Sequence, residues 1–181
     1  RQAASLFQLL HARGLVVGDV SMRNLLWSPA PIGIFLLDCD GIRVQGRRPV
    51  MPQPETPDWN DPLQPPSGPD QDTDRYKLAL LIVRILACDH GLRPTPDEPP
   101  RLVPGLPERV VREVTKRFAE AAGPRGTRPD ASQWALALSD RDTIELPPPG
   151  PVRRPPDLPK APLDLPGRRP VIRFTRSPSG R

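Results

Sequence analysis

Two short segments of this 181-residue chain combine residue types that are used in chemistry. In residues 18–24, Asp19 is followed five residues later by Asn24. Residues 35–41 are an apolar run that closes on Asp38 and Asp40. One carboxylate, then an amide, then two further carboxylates in this order indicate phosphoryl transfer. In this reaction a protein chiefly positions its reactants and offsets charge.

The residues before Asp19 predict a helix followed by a strand. Residues 2–13 repeat apolar side chains at helical spacing and stop at Gly14, which predicts an amphipathic helix. Residues 15–17 are a short apolar run, typical of a buried strand. Asp19 is therefore expected just beyond a strand end, where a rigid scaffold can present polar groups into a cleft.

A second strand end is expected just before Asp38. Residues 24–27 and 34–37 are apolar runs, and residues 28–33 between them contain Pro and Gly, which predicts a hairpin with a long turn. Cys39 has carboxylates on both sides, which disfavour its thiolate. We therefore predict that it is a small, unreactive core residue.

The second half of the chain is predicted to be mainly helical. Residues 45–71 are rich in Pro and Gly and predict an irregular loop over part of the site. Residues 76–87 are apolar on nearly every side, so the helix that contains them is expected to be the core of the fold. Its predicted N-cap is Asp72 or Thr73. Further helices are predicted over residues 108–121 and 130–138, and core positions are predicted for Trp27, Trp59 and Trp134.

Proline and charge divide the chain into a body and a tail. Of the 29 prolines, eleven lie in residues 147–181, which also hold eight Lys or Arg against two Asp. The tail therefore carries +6 and the body −1 of the net +5. We predict one folded domain over residues 1–145 and a disordered Pro/Arg-rich tail over residues 146–181, which is either a linker or a segment that binds a partner domain such as SH3.

Composition also argues against other classes of protein. A near-neutral body does not favour nucleic acid binding, and the longest apolar stretch, residues 78–87, is too short to span a membrane. Cys39 and Cys88 form no CxxC or Cys/His cluster, which indicates neither a disulfide framework nor a zinc site. His11 and His90 have no partner at metal-ligand spacing and are predicted at helix ends or on the surface. We expect a cytoplasmic protein that binds neither nucleic acid nor membranes.

Five segments occur in an order and at spacings that together identify a fold. They are residues 10–19 (LHARGLVVGD), 38–40 (DCD), 55–63 (ETPDWNDPL), 73–79 (TDRYKLA) and 128–134 (RPDASQW). They resemble, in turn, the approach to the HRD or D-x4-N catalytic loop, the DFG motif, the GTPEYLAPE segment, the SDVYALG helix start and the RP motif of protein kinases. The resemblance covers residues 2–140 and is closest to atypical bacterial serine/threonine kinase-like proteins. It implies the C-terminal lobe of that fold, mainly α with a small β-hairpin region, with the N-terminal lobe absent.

The resemblance implies a role for each candidate site residue. Asp19 would accept the proton of the attacking hydroxyl, while Asn24 and Asp38 would hold the Mg²⁺ ions that bridge the phosphates of ATP. Mg²⁺ suits such a site because it takes a few hard oxygen ligands and keeps some waters. Arg23 would offset charge on the γ-phosphate, because Ser21 stands where serine/threonine kinases have a lysine. The alternative is that these residues only shape a turn and end a strand.

Further residues are implied as structural supports. Asp74 would accept hydrogen bonds from the backbone of the catalytic loop and hold Asp19 in place. Leu63 replaces the glutamate that pairs in the family with the arginine matching Arg128. A buried arginine without a partner would cost about 3 to 5 kcal/mol, so Asp61 or Asp58 is expected to pair with Arg128.

The resemblance as a whole implies a fragment of an ATP-dependent protein kinase that phosphorylates a Ser or Thr hydroxyl of a protein substrate. The chain begins at Arg1 within a helical pattern and contains no glycine-rich loop or VAIK-like lysine. We therefore expect it to be inactive without an N-terminal lobe. Two alternatives stay open. One is a pseudokinase scaffold or binding module, favoured by Val17 and Gly18 in place of the His and Arg of HRD, and the other is a small-molecule phosphotransferase.

Overall fold

The computed structural model describes residues 1–47 and 55–139. These ranges hold four α-helices and four short strands, together with single-turn 3₁₀ helices at Met22–Asn24 and Cys39–Gly41. The predicted tail, residues 146–181, and its boundary near residue 145 lie outside the described residues. In chain order the elements are α1 (Gln2–Ala12), β1 (Leu15–Val16), β2 (Leu25–Pro29), β3 (Ile32–Leu36), β4 (Arg43–Val44), α2 (Gln71–Ala87), α3 (Glu108–Ala121) and α4 (Ala131–Ala137).

The strands form two antiparallel pairs that place the loops of the site. β2 and β3 make a hairpin in which Leu25 faces Leu36 and Pro29 faces Ile32. The predicted long turn is wrong, because both strands run further toward the tip of the hairpin and only two residues separate them. β1 pairs with β4, with Leu15 opposite Val44. This pairing returns the chain that follows Asp38 to the strand that precedes Asp19.

Helix α2 is the centre of the core, as its nearly uniform apolar sequence predicts. Leu78, Leu80 and Val83 are fully buried, and the helix packs against α1 and α3. The cluster around it also contains side chains from the other helices and from the loop after residue 55. The largest of these are Phe7, Trp59, Phe118 and Trp134, so the predicted core positions of Trp59 and Trp134 are confirmed.

Trp27 and Cys39 are not core residues, contrary to prediction. The Trp27 side chain is 64% exposed and lines an open apolar groove of about 700 Å³ between the hairpin, α1 and α2. Cys39 is exposed because it lies in the 3₁₀ turn that follows β3. Both residues belong to or follow a two-stranded hairpin, which has too few neighbours within the described ranges to cover both of its faces.

Side chains of aspartate begin two of the helices. Asp70, and not the predicted Asp72 or Thr73, is the N-cap of α2, where it accepts a hydrogen bond from the Thr73 N–H at 2.9 Å. Asp130 begins α4 with a reciprocal capping box to Gln133. Among the helices in the described ranges, none combines the length and apolarity needed to cross a membrane.

Candidate functional site

Asp19 lies at the centre of a hydrogen-bond cluster that joins two distant loops. Its Oδ2 accepts a hydrogen bond from Asn24 Nδ2 at 2.7 Å. Its Oδ1 accepts one from the Thr56 N–H at 3.0 Å and another from the Thr56 hydroxyl at 2.9 Å. Asp19 and Asn24, paired by their spacing in the sequence, are therefore in direct contact. The two loops together fix the plane of the carboxylate.

Thr56 and Ser21 belong to this cluster, although neither was among the predicted site residues. Thr56 Oγ1 lies 3.3 Å from the Ser21 hydroxyl, and Ser21 is fully buried. The available signal was the Thr-Pro pair in residues 55–63. It marked the segment but did not show that the Thr56 side chain turns toward Asp19.

Asp74 holds the backbone immediately before Asp19. This fully buried side chain on α2 accepts hydrogen bonds from the Val17 and Gly18 N–H groups, both at 2.8 Å. The contact predicted for Asp74 is thus present. His11 Nε2 lies 3.1 Å from the same carboxylate. The prediction for His11 was incomplete, because it lies in the last turn of α1 yet points inward with a side chain only 11% exposed.

Lys77 supports the same loop from the same helix. Its side chain is fully buried, and its Nζ donates to the Gly18 carbonyl at 2.8 Å and to Glu55 Oε1 at 3.2 Å. In the sequence Lys77 only interrupts an apolar helix. Its position on α2, one turn after Asp74, was the signal that it faces the same loop.

Asp38 lies at the open end of the hairpin, away from its tip, and is exposed. It follows β3 in the left-handed conformation, with φ 51°, which Asp tolerates better than most residues. The Leu37 N–H donates to the Asn24 carbonyl at 2.8 Å. This bond joins the backbone beside Asp38 to the backbone of Asn24, so the fold brings these two predicted residues to one end of the hairpin. Arg23 is exposed in the 3₁₀ turn before Asn24.

The chemistry of Asn24 and Asp38 fits a hard cation such as Mg²⁺. Because Asn24 donates its Nδ2 to Asp19, its side-chain oxygen is left as an acceptor, and no residue of the described ranges donates to that oxygen. Asp38 adds an exposed carboxylate. In the part of the chain that the structure describes, no three Asp, Glu, His or Cys side chains gather around a common position. A cation held here would complete its coordination with waters and with oxygens of its substrate.

Arg128 is paired as predicted, and its partner is Asp61. Both side chains are fully buried, with Nη1 to Oδ2 at 2.6 Å and Nη2 to Oδ1 at 2.9 Å, a two-bond arrangement that stabilises both charges. The Arg128 guanidinium also lies 4.9 Å from the centre of the Tyr76 ring. Asp58, the other predicted partner, instead offers its carbonyl to Arg84. Of the two predicted partners, Asp61 is therefore the one that pairs with Arg128.

Arg125 extends this ion pair to the start of α2. Its guanidinium bonds Asp70 and lies 3.4 Å from Asp61. Burial tends to raise the pKa of Asp70, but the hydrogen bonds from Arg125 and Thr73 outweigh this effect and hold the pKa below its ordinary value. Asp70 is therefore both the cap of α2 and a member of the charged network beneath residues 55–63.

Comparison with known proteins identifies the fold. No protein-family model and no curated protein matches the sequence. Among solved structures, the chain is similar to the ROP18 kinase domain in complex with AMP-PNP and sucrose, with a TM-score of 0.55 and 20% sequence identity. The match covers 77% of this chain and 38% of that one, so this chain spans well under half the length of the structure it matches. The protein has a protein kinase-like fold.

Proposed function

We propose that this chain is the C-terminal lobe of an ATP-dependent protein kinase and carries its catalytic base. The observation on which the proposal depends is the Asp19 carboxylate, which Asn24 and Thr56 orient in a loop anchored to Asp74. The Asp19 side chain is half-buried, so part of it stays accessible to a substrate. The kinase-like fold supports the proposal because it agrees with the fold that the sequence motifs imply.

Asp19 would orient the Ser or Thr hydroxyl of a protein substrate and accept its proton. The carboxylate is suited to this role because its hydrogen bonds fix its direction before the substrate arrives. Asn24 and Asp38 would hold Mg²⁺, which when bound aligns the phosphates of ATP and offsets their charge. Arg23, exposed beside Asn24, would add positive charge near the transferred phosphoryl group.

The chain by itself is proposed to be inactive. Its carboxylates and amide can orient one side of a nucleotide, but no lysine or glycine-rich loop in its sequence supplies the opposing phosphate contacts. An N-terminal lobe is thus the first partner required, and a protein substrate is the second. We also propose that the protein is cytoplasmic and that its tail binds a partner domain.

The test is phosphoryl transfer by the product of the complete reading frame, with γ-labelled ATP, Mg²⁺ and a panel of protein and small-molecule acceptors. Replacing Asp19 by Asn is expected to lower transfer by about 10²-fold or more, because it removes a general base. Asp97→Asn, in an exposed loop, is the matched control and should retain full transfer. Transfer that survives in Asp19→Asn, or detectable transfer by residues 1–181 alone, would contradict the proposal.

A pseudokinase scaffold is the second candidate, and two features of the site favour it. Both oxygens of Asp19 already accept hydrogen bonds from the protein, and the turn after Asp38 carries Cys39 and Asp40 in place of the family's Phe and Gly. A folded full-length product that transfers phosphate to no acceptor in the panel would select this candidate. Transfer to small molecules alone would select a small-molecule phosphotransferase.

A further inference from the structure

We propose that Lys77 is a positioning residue that couples the segment beginning at Glu55 to the loop of Asp19. The bridge consists of the Lys77 ammonium, the Gly18 carbonyl and the Glu55 carboxylate, and we call it the Lys77 bridge. The inference rests on the proposed role of Asp19, and it adds a means by which residues 55–63 control that carboxylate.

Packing alone does not explain why position 77 is a lysine. It lies on the central helix between Tyr76 and Leu78 with a fully buried side chain. Moving an ammonium group out of water is costly, and an apolar side chain of similar length would fill the same space without that cost. The compensation that Lys77 receives comes from the two loops of the site, through Gly18 and Glu55.

The positions of these two partners give the bridge its role. Gly18 immediately precedes Asp19, and Glu55 immediately precedes Thr56, the residue whose N–H and hydroxyl bond the Asp19 carboxylate. One ammonium group therefore ties together the backbone before the base and the segment that orients the base. Because the Lys77 side chain is fixed on a core helix, it transmits the position of one loop to the other.

The two ends of the bridge differ in how firmly they are held. Gly18 is held twice by α2, through its N–H to Asp74 at 2.8 Å and through its carbonyl to Lys77. The Glu55 side chain, at the other end of the bridge, is 27% exposed. Loss of the bridge should therefore release Thr56 from Asp19 while Asp74 continues to hold Gly18. A binding event that draws Glu55 away would have the same effect, so residues 55–63 act as a control element for the base.

Amide hydrogen exchange measured by NMR on the whole chain tests this inference. In Lys77→Met, exchange of the Thr56 N–H should accelerate by about tenfold or more, while the Val17 and Gly18 N–H groups should change by less than about threefold. Glu55→Gln should accelerate the same Thr56 amide to a smaller extent, because the amide oxygen still accepts a hydrogen bond. Arg117→Met is the matched control, since it removes a mostly buried cation on α3 that bonds Glu120, and it should leave Thr56 unchanged.

The double variant Lys77→Met with Glu55→Gln should accelerate Thr56 no more than Lys77→Met alone, because the partner is already lost. Unchanged Thr56 exchange in both single variants would overturn the inference. Equal acceleration of every amide would also overturn it, because that pattern reports a general loss of stability. If Lys77→Met does not fold, Glu55→Gln alone decides, since its partly exposed side chain is not part of the core. No nucleotide is involved, so an inactive protein can still show the coupling.

Discussion

Asp19 and Asp38, the two carboxylates of the proposed site, are held in different ways. Asp19 accepts hydrogen bonds from Asn24 and Thr56, and the backbone before it is fixed by Asp74 and Lys77, which are both fully buried. Asp38 is exposed at the end of a two-stranded hairpin and is placed mainly by its backbone. The carboxylate that would accept the proton is anchored by buried groups, whereas the carboxylate that would bind the metal lies at the surface.

This difference predicts which property each substitution should change, stability or cation binding. Charge-assisted hydrogen bonds between buried groups are strong, and their loss leaves the remaining partner without water. Changes in the supports of Asp19 should therefore lower the free energy of unfolding. Changes at Asp38 should alter cation binding and leave folding intact. The hairpin also exposes apolar side chains, including Leu26, Trp27 and Phe35, which belong to the same weakly covered region.

The largest effect is expected from Asp61→Ala, which removes both hydrogen bonds between the fully buried Arg128 and Asp61 and leaves Arg128 with the Asp72 carboxylate at 3.2 Å. The free energy of unfolding should fall by about 3 kcal/mol, the low end for a broken buried ion pair because Asp72 keeps part of the charge paired, measured by urea denaturation. Asp58→Asn is the control, because Asn tolerates the positive φ of 66° at this position and the Asp58 side chain is exposed. A loss below 1 kcal/mol in Asp61→Ala would show that the ion pair does not support residues 55–63.

A smaller loss of stability is expected from Asp74→Asn. The amide keeps one acceptor for the Val17 and Gly18 N–H groups but loses the negative charge, so unfolding should become easier by about 2 kcal/mol. Exchange of the Gly18 amide should accelerate more than that of amides elsewhere in the core. Asp97→Asn, exposed in a loop, is the control and should cost less. Equal losses of unfolding free energy in the two variants would show that Asp74 supports the loop no more than an exposed aspartate does.

A pH-dependent effect is expected at Asp70, whose pKa is lowered in the folded protein. Such a group stabilises the fold above its ordinary pKa and loses that contribution as the pH falls through the lower folded value. Asp70→Asn keeps the helix cap, so it should cost less than about 1 kcal/mol at pH 7, because solvent screens this partly exposed pair.

The difference in unfolding free energy between Asp70→Asn and the natural chain should be smaller at about pH 3, below the ordinary Asp pKa, than at pH 7. Denaturation at the two pH values measures it. Asp97→Asn should show no such pH dependence. A difference that stays constant between these pH values would assign the effect of Asp70 to capping and not to its charge.

The smallest effect on folding, and the clearest effect on binding, is expected at Asp38. Asp38→Asn retains a residue type that accepts the left-handed backbone, so the unfolding transition should not move. Mn²⁺, used as a paramagnetic substitute for Mg²⁺, should broaden the NMR signals of Asn24 and Leu37 in the natural chain and not in the variant. Broadening that persists in Asp38→Asn would place the cation elsewhere.

The sequence by itself determined the order of the elements and several partners. The apolar pattern of residues 76–87 predicted the central helix. The resemblance to protein kinase motifs implied the contact of Asp74 with the loop and a pairing of Arg128 with Asp61 or Asp58. These features follow from local periodicity and from motifs whose spacing is fixed along the chain. The cap of α2 was misplaced by two or three residues because several neighbouring Asp and Thr residues are equally suited to capping.

Only the tertiary structure decided which side chains surround Asp19. Thr56 lies 37 residues from Asp19 in the sequence, Lys77 lies 59 from Gly18, and His11 lies 63 from Asp74. Contacts at such separations depend on how helices and loops pack, and no local pattern records that packing. The exposure of Trp27 and Cys39 was likewise undetermined, because an apolar residue on a hairpin is buried only if another element covers it.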